Sequence, residues 1–386
     1  MKETYYIGLD VHKQTVAIAH AMGGSREDAV YHGTRKGSVL NVERALRRLA
    51  KELGTTLKEL KVCYEAGPTG FVLQRHIASY GVECVVMAPT KTTRKPGEKV
   101  KTDKRDARKI AREFRNGDIT EVHVPPPVTE AVRDLCRART DAVDDLSRSK
   151  QRLKSFMLRN GYSYEGGANW GTAHMNYLRK LKLPTHAHQI VLEEYIQAID
   201  AARDRVARLF ENMKELLGDW EWQPVVRALM ALRGFQEVTA MTITSELGDL
   251  RRFRSPRQLM AFLGLVPGEH SSGSKRSQGA ITKCGNGHAR WMLVESAQQY
   301  AHKPKVSPQL SARQKGQSTA VKSLSWRAQH RLCNRYRRLM ARGKRRHKVT
   351  IAIARELSAF IWELQNKCEL PLPEPRPDYT QTSAAK

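Results

Sequence analysis

The chain runs to 386 residues, room for two or three domains, since single cores rarely outgrow about 250 to 300 residues. Its 67 Lys plus Arg against 39 Asp plus Glu leave a formal net charge of +28, which points to a polyanionic partner, nucleic acid ahead of a merely soluble basic role. No run approaches about 18 apolar residues and Met1–Tyr6 lacks the regions of a signal peptide, so a cytoplasmic protein without membrane contact is expected.

In chain order, Thr4 to Met22 gives two apolar runs separated by Asp10 to Gln14, the pattern of two strands and a tight turn. Val30 to Thr34 is a third strand candidate, Ser38 to Leu53 has helical spacing stopped at Gly54, Leu60 to Gly67 is a fourth strand, Thr69 to Tyr80 a helix and Val82 to Met87 a fifth strand. Strands followed by alternating strand and helix predict a mixed α/β sheet. The very basic stretch Lys91 to Arg115 reads as a mobile loop whose second half turns helical through Ala107, Ile110, Ala111 and Phe114. VPPPVTE (Val124 to Glu130) marks a boundary, because consecutive prolines extend neither helix nor sheet interior.

Glu130 to Arg159 and His188 to Leu217 predict two long charged helices, paired as an antiparallel hairpin or coiled coil; a solvated spacer and a dimerising arm remain equally open. From Trp222 to about Gln365 apolar helices mix with Gly turns, and ALRGFQEVTAMTI (Ala231 to Ile243) has the Gly-centred turn of helix-hairpin-helix modules. Basic residues crowd Arg327 to Lys348, ahead of a Pro-rich tail of disordered composition. The expected division is 1–125 (mixed sheet), 126–220 (helical arm), 221–366 (mainly helical domain) and 367–386 (tail). Cys63, Cys84, Cys136, Cys284, Cys333 and Cys368 never form Cys-x-x-Cys, so reduced packing cysteines are expected.

Four acids carry the sharpest chemistry: Asp10 in the first strand, Glu65 at the end of the fourth, and Asp103 with Asp106 in KTDKRDA. If the last two open a helix, their i, i+3 spacing puts both carboxylates on one face. Hard divalent cations such as Mg²⁺ take a few carboxylates plus water and substrate phosphate. Taken singly, each acid is more readily an exposed charge or a helix cap than a metal ligand; the combination favours a metal centre. Lys13, Lys101, Lys104 and Arg105 are the candidate phosphate contacts around it, and His12 and Lys13 fit equally as turn residues.

IGLDVHK (Ile7 to Lys13), YEAGPTG (Tyr64 to Gly70) and KTDKRDA (Lys101 to Ala107) resemble the motifs of DEDD-type insertion-sequence transposases, the IS one-ten family of bridge-RNA-guided recombinases. That resemblance implies an RNase-H/RuvC-like N-terminal domain in which Asp10, Glu65, Asp103 and Asp106 bind Mg²⁺, with Mn²⁺ able to substitute. Ala261 to Leu293 is similar to the second signature of the family, in which a serine before glycine forms a covalent phosphoserine link to DNA; the matching position is Ser272. On chemistry alone Ser271 and Ser274 are equally eligible, and an unactivated hydroxyl is a poor nucleophile. Lys275, Arg276, Lys283 and Arg290 are candidates for holding the phosphate. The resemblance further implies donor and target duplex DNA, a structured guide RNA, a homodimer or tetramer, and work on the bacterial nucleoid. A junction-resolving nuclease using the acids and water, and a non-enzymatic nucleic-acid binder, are the alternatives.

Overall fold

The alternation at the N-terminus folds as the expected hairpin: β1 (Tyr5–Val11) pairs antiparallel with β2 (Thr15–Met22), closed by the His12 N–H donating to Thr15 O at 2.8 Å. The computed structural model describes residues 3–89, 102–269 and 277–373, and its chain divides into two units, Met1–Pro125 and Pro126–Lys386. In the first unit β3 (Val30–Lys36), α1 (Val39–Glu52), β4 (Leu60–Glu65), α2 (Val72–Ala78), β5 (Glu83–Met87) and α3 (Asp103–Asn116) follow in order. The sheet order is β3-β2-β1-β4-β5; β1, β2 and β3 are antiparallel, while β1, β4 and β5 run parallel. One extra residue on β3, taken up around Gly33 at φ +96°, bulges its pairing with β2.

The two faces of this sheet differ in side-chain size. On one, Ile7, Leu9, Ile18, Val62, Tyr64 and Val86 form a conventional core with Leu46 and Leu49 of α1 and Leu73 and Ile77 of α2. On the other, Ala17, Ala19 and Ala21 meet Ala107 and Ala111 of α3, flanked by Cys63, Met87, Ile110 and Phe114. Gly8 lies on this second face, two residues before Asp10, and a Cβ built on it would stand 2.4 Å from both Ala107 O and Ala111 N. Small residues therefore let α3 lie almost directly on the strands. Gly8→Ala is expected to push the helix off the sheet and cost about 1–3 kcal/mol, since the atoms met are backbone. A variant melting at the wild-type temperature would contradict so close a seat.

The second unit opens with α4 (Pro127–Arg159), α5 (Thr172–Lys180) and α6 (His186–Asp219). α4 starts three residues earlier than expected, because proline is tolerated in a first helical turn. The predicted antiparallel hairpin is present: Leu153, Phe156 and Met157 late in α4 cluster with Leu192, Ile196 and Ile199 early in α6. At the other end Val132, Cys136, Met213 and Leu217 join the core of the helices that follow. The expected separate arm thus shares its base with the expected third domain. That domain comprises α7 (Gln223–Met230), α8 (Glu237–Leu247), α9 (Pro256–Phe262), the short antiparallel β6 (Pro267–Glu269) and β7 (Gln278–Ile281), α10 (Gly287–Gln298), α11 (Pro308–Gln314), α12 (Thr319–Ala341) and α13 (Arg346–Lys367). Residues 368–373, expected in the tail, lie on this core through Leu370 and Leu372.

No helix among the described residues is long and apolar enough to cross a membrane. All six cysteines are free thiols and five are buried, Cys284 being the exposed one. Burial pushes the Cys63 thiol up to about 12, which makes it inert packing rather than chemistry.

Candidate functional site

Asp10 is the penultimate residue of β1 and points to the α3 face, as Gly8 does two residues before it. Thr102 caps α3, its hydroxyl accepting from Arg105 N, so Asp103 and Asp106 fall in the first turn. There the exposed N–H groups and the helix dipole favour negative charge. Because α3 rests on glycine and alanine, that turn reaches the end of β1. Asp10, His12 and Asp103 gather with ligand atoms all within 4.8 Å of one another. The His12 Nε2 lies 3.2 Å from Asp10 Oδ2 and 3.7 Å from Asp103 Oδ1.

The electrostatics fit a cation site. Burial first, then the charges of Asp106 and Asp103, hold the Asp10 carboxyl above the ordinary aspartate range, against a lowering pull from His12. Asp106 therefore belongs to the same field. Glu65 ends β4, and the parallel register that pairs Leu9 with Tyr64 brings it beside Asp10 on the neighbouring strand and the same face, with backbones about 5 Å apart. Its charge also reaches Glu113 of α3, where, after burial and Asp118, it helps hold that carboxyl up. Glu65 is outside the gathered trio. His12 is inside it, and its signal in the sequence was its place two residues after a strand aspartate, on the same face. A divalent ion could be held by Asp10 and Asp103, with Asp106, Glu65 or the imidazole completing the set; oxygen donors crowded enough to raise one another's pKa are the donors such an ion relieves.

Of the expected phosphate contacts, Lys13 is exposed in the β1–β2 turn, Arg105 is exposed, and the Lys104 ammonium lies over the Tyr31 ring at 5.6 Å from its centroid. Other cations of this segment are committed elsewhere: Arg108 and Arg112 bind Asp28 at 2.9 and 2.8 Å, and Arg115 donates to Glu27 O at 2.8 Å. Lys101, Ser271, Ser272, Ser274, Lys275 and Arg276 lie outside the described residues. The strands on either side of the serine segment, β6 and β7, lead into a tight junction. There Gly264, at φ +61°, would place a Cβ 2.4 Å from Cys284 O, and Lys283 adopts φ +56°. Arg290 Nη1 donates to Leu263 O and Cys284 O at 2.9 and 3.0 Å, so this nitrogen fastens the junction.

Glu246 of α8 is a functional candidate the sequence reading missed. Its side chain is fully buried. It accepts from Arg137 Nε and Nη2 of α4 at 2.8 and 3.0 Å, from Asn286 Nδ2 at 2.7 Å, and meets His288 Nδ1 at 2.9 Å. Asn286 is also the N-cap of α10, accepting from Ala289 N. These hydrogen bonds, outweighing the burial that opposes them, lower the Glu246 pKa to about 2. One carboxylate so ties α4, α8 and the start of α10 together, immediately after the serine-bearing strand pair.

A family model described as "Transposase", of the DEDD type, matches residues 7–160, and one described as "Transposase IS116/IS110/IS902 family" matches residues 226–312. The chain is 41% identical over 359 residues to a putative transposase, y4qE, of Sinorhizobium fredii, covering 93% of this chain and 88% of that one. It is 29% identical over 348 residues to the transposase for insertion sequence element IS1533 of Leptospira borgpetersenii, covering 89% and 99% of the two chains. The protein is thus a transposase, an enzyme acting on DNA. It belongs to the IS110 family of insertion-sequence transposases.

Proposed function

We propose that Asp10, Glu65, Asp103 and Asp106 hold Mg²⁺, with Mn²⁺ able to substitute, and that this centre cuts DNA strands during transposition. The observation that carries the reading is the gathering of Asp10 and Asp103 within 4.8 Å of each other from two separate stretches of chain. The order β3-β2-β1-β4-β5, with β1 central and its last residues beside the acids, supports an RNase-H/RuvC-like assignment for the first unit. Bound divalent ions would neutralise charge on the scissile phosphate. The chain's own task is to fix carboxylate oxygens around that point, with His12 already 3.2 Å from Asp10.

In this reading Ser272 is the nucleophile. Its Oγ forms a bond to phosphorus, its proton leaves, and the displaced deoxyribose oxygen takes one up. The phosphodiester energy is kept in the phosphoserine, and attack by a second strand's hydroxyl reverses the step, so rejoining needs no further energy source. Lys275, Arg276, Lys283 and Lys13 hold phosphates, Lys101, Lys104 and Arg105 hold strand near the acids, and the α4–α6 hairpin brings copies together as dimers or tetramers so that acids of one act with Ser272 of another. A structured guide RNA pairs with donor and target duplexes, which accounts for part of the net charge of +28. The test mixes purified protein with Mg²⁺, guide RNA from the flanking element and paired duplexes, and looks for recombinant joints and trapped protein–DNA adducts. Ser272→Ala is expected to abolish the adduct. Full cleavage by that variant, with adduct-free products, would instead favour a nuclease using acids and water.

A further inference from the structure

Charge on the last two helices is sorted into a neutralised seam and an unneutralised turn. Along the seam, Arg327 binds Glu363 at 2.6 Å, and Arg331 and Arg335 both bind Glu356, at 3.0 and 2.5 Å. Immediately beyond come Arg337, Arg338, Arg342, Lys344, Arg345, Arg346 and Lys348, with no acid between them. All are exposed, and none of them meets a carboxylate among the described residues. Three of them stand at the start of α13, which carries no acid in its first turn. Cations there oppose the helix dipole, and like charges repel. A local rule broken on an exposed, well-formed helix calls for a partner that repays it.

An aromatic surface continues from this turn. Trp326 is 44% exposed, with its ring set edge-on to His330 at 4.3 Å between centroids. At about 100° per residue, Trp326, His330 and Arg337 fall within about 40° of one another around α12, and about 16 Å separates Trp326 from Arg337 along it. The second transposase model ends at residue 312, so this surface lies beyond both matched segments. Cations in a row beside an open indole fit a polyphosphate whose bases are free to stack, because a duplex hides the faces of its bases.

We propose that the α12 face and the α12–α13 turn dock an unpaired stretch of nucleic acid, phosphates on the turn and a base on Trp326. The proposal does not depend on how the acid site works. Binding of the full-length protein is measured across a salt series with three labelled probes: an RNA hairpin with an unpaired loop, single-stranded DNA, and duplex DNA. The combined R345Q, R346Q and K348Q variant is expected to reduce the slope of log affinity against log salt on unpaired probes by about 2, near 0.7 per lost contact. Trp326→Ala should weaken unpaired probes about tenfold and leave the duplex unaffected, with Trp326→Phe restoring most of the loss. The unpaired probe more sensitive to W326A, RNA or DNA, identifies the polymer. Unpaired-probe binding unchanged by W326A, a slope unchanged in the triple variant, or an equal loss on the duplex would each overturn the proposal.

Discussion

Asp10→Asn is expected to lower Mg²⁺-dependent strand cleavage at least about a thousandfold, equivalent to roughly 4 kcal/mol of transition-state stabilisation, while leaving DNA affinity near wild type. The amide matches the carboxylate in shape but carries no charge to offer a cation. Asp10 is also held uncomfortably: burial and the neighbouring Asp106 and Asp103 charges raise its carboxyl pKa. Removing that charge should therefore leave the metal-free protein as stable as wild type or slightly more so, the pattern expected where function, rather than folding, retains a residue. Cleavage assays paired with thermal melts in EDTA would test both halves. Wild-type cleavage by the Asn variant would dismiss the acid site as the catalytic centre.

The largest structural effect is expected at Glu246. Glu246→Gln retains the shape of the side chain but loses the charge that Arg137, Asn286 and His288 surround. Breaking a buried, multiply bonded ion pair costs about 3–5 kcal/mol, and here the low end applies because Arg137 is half exposed and can be rehydrated. The pH dependence has a definite sign. The folded pKa of about 2 lies below the 4.5 of an unperturbed glutamate, so the unfolded chain binds more protons in that interval. The contribution, on the order of 3 kcal/mol, is complete above pH 4.5 and is lost as pH falls through 2. Urea melts of wild type should lose stability over this window more steeply than those of the Gln variant. Parallel profiles would show that the carboxylate is not ionised against its partners as the geometry requires.

Local patterns in the sequence already announced the parts of the site that are local. Asp10 interrupts an apolar strand, and Thr102, Asp103 and Asp106 spell a helix start, so the structure places them on β1 and in the first turn of α3. The hairpin of β1 and β2 was equally readable, since period-2 alternation needs no distant partner. Boundaries were less so: α2 begins at Val72 rather than Thr69, after a turn in which the Tyr64 hydroxyl donates to Gly70 O at 3.0 Å. The Glu246 cluster joins residues 109 and 42 positions apart, and no periodicity encodes such a pairing; the only hint was an acid at the end of an apolar helix. The basic run before and within α3 looked uniform, yet Arg108 and Arg112 are occupied by Asp28. Charge composition reports how many cations exist, not which are already engaged.

The alanine seam beneath α3 has one more implication. Methyl groups bury little area, so this layer gains far less from water release than the leucine-rich face opposite. Grip on that side comes instead from closeness of fit and from the three arginines that fasten α3 to residues 27–29. The helix that carries Asp103 and Asp106 is thus moored by shape and polar ties, and whatever loosens the mooring carries those carboxylates away from Asp10 in the same movement.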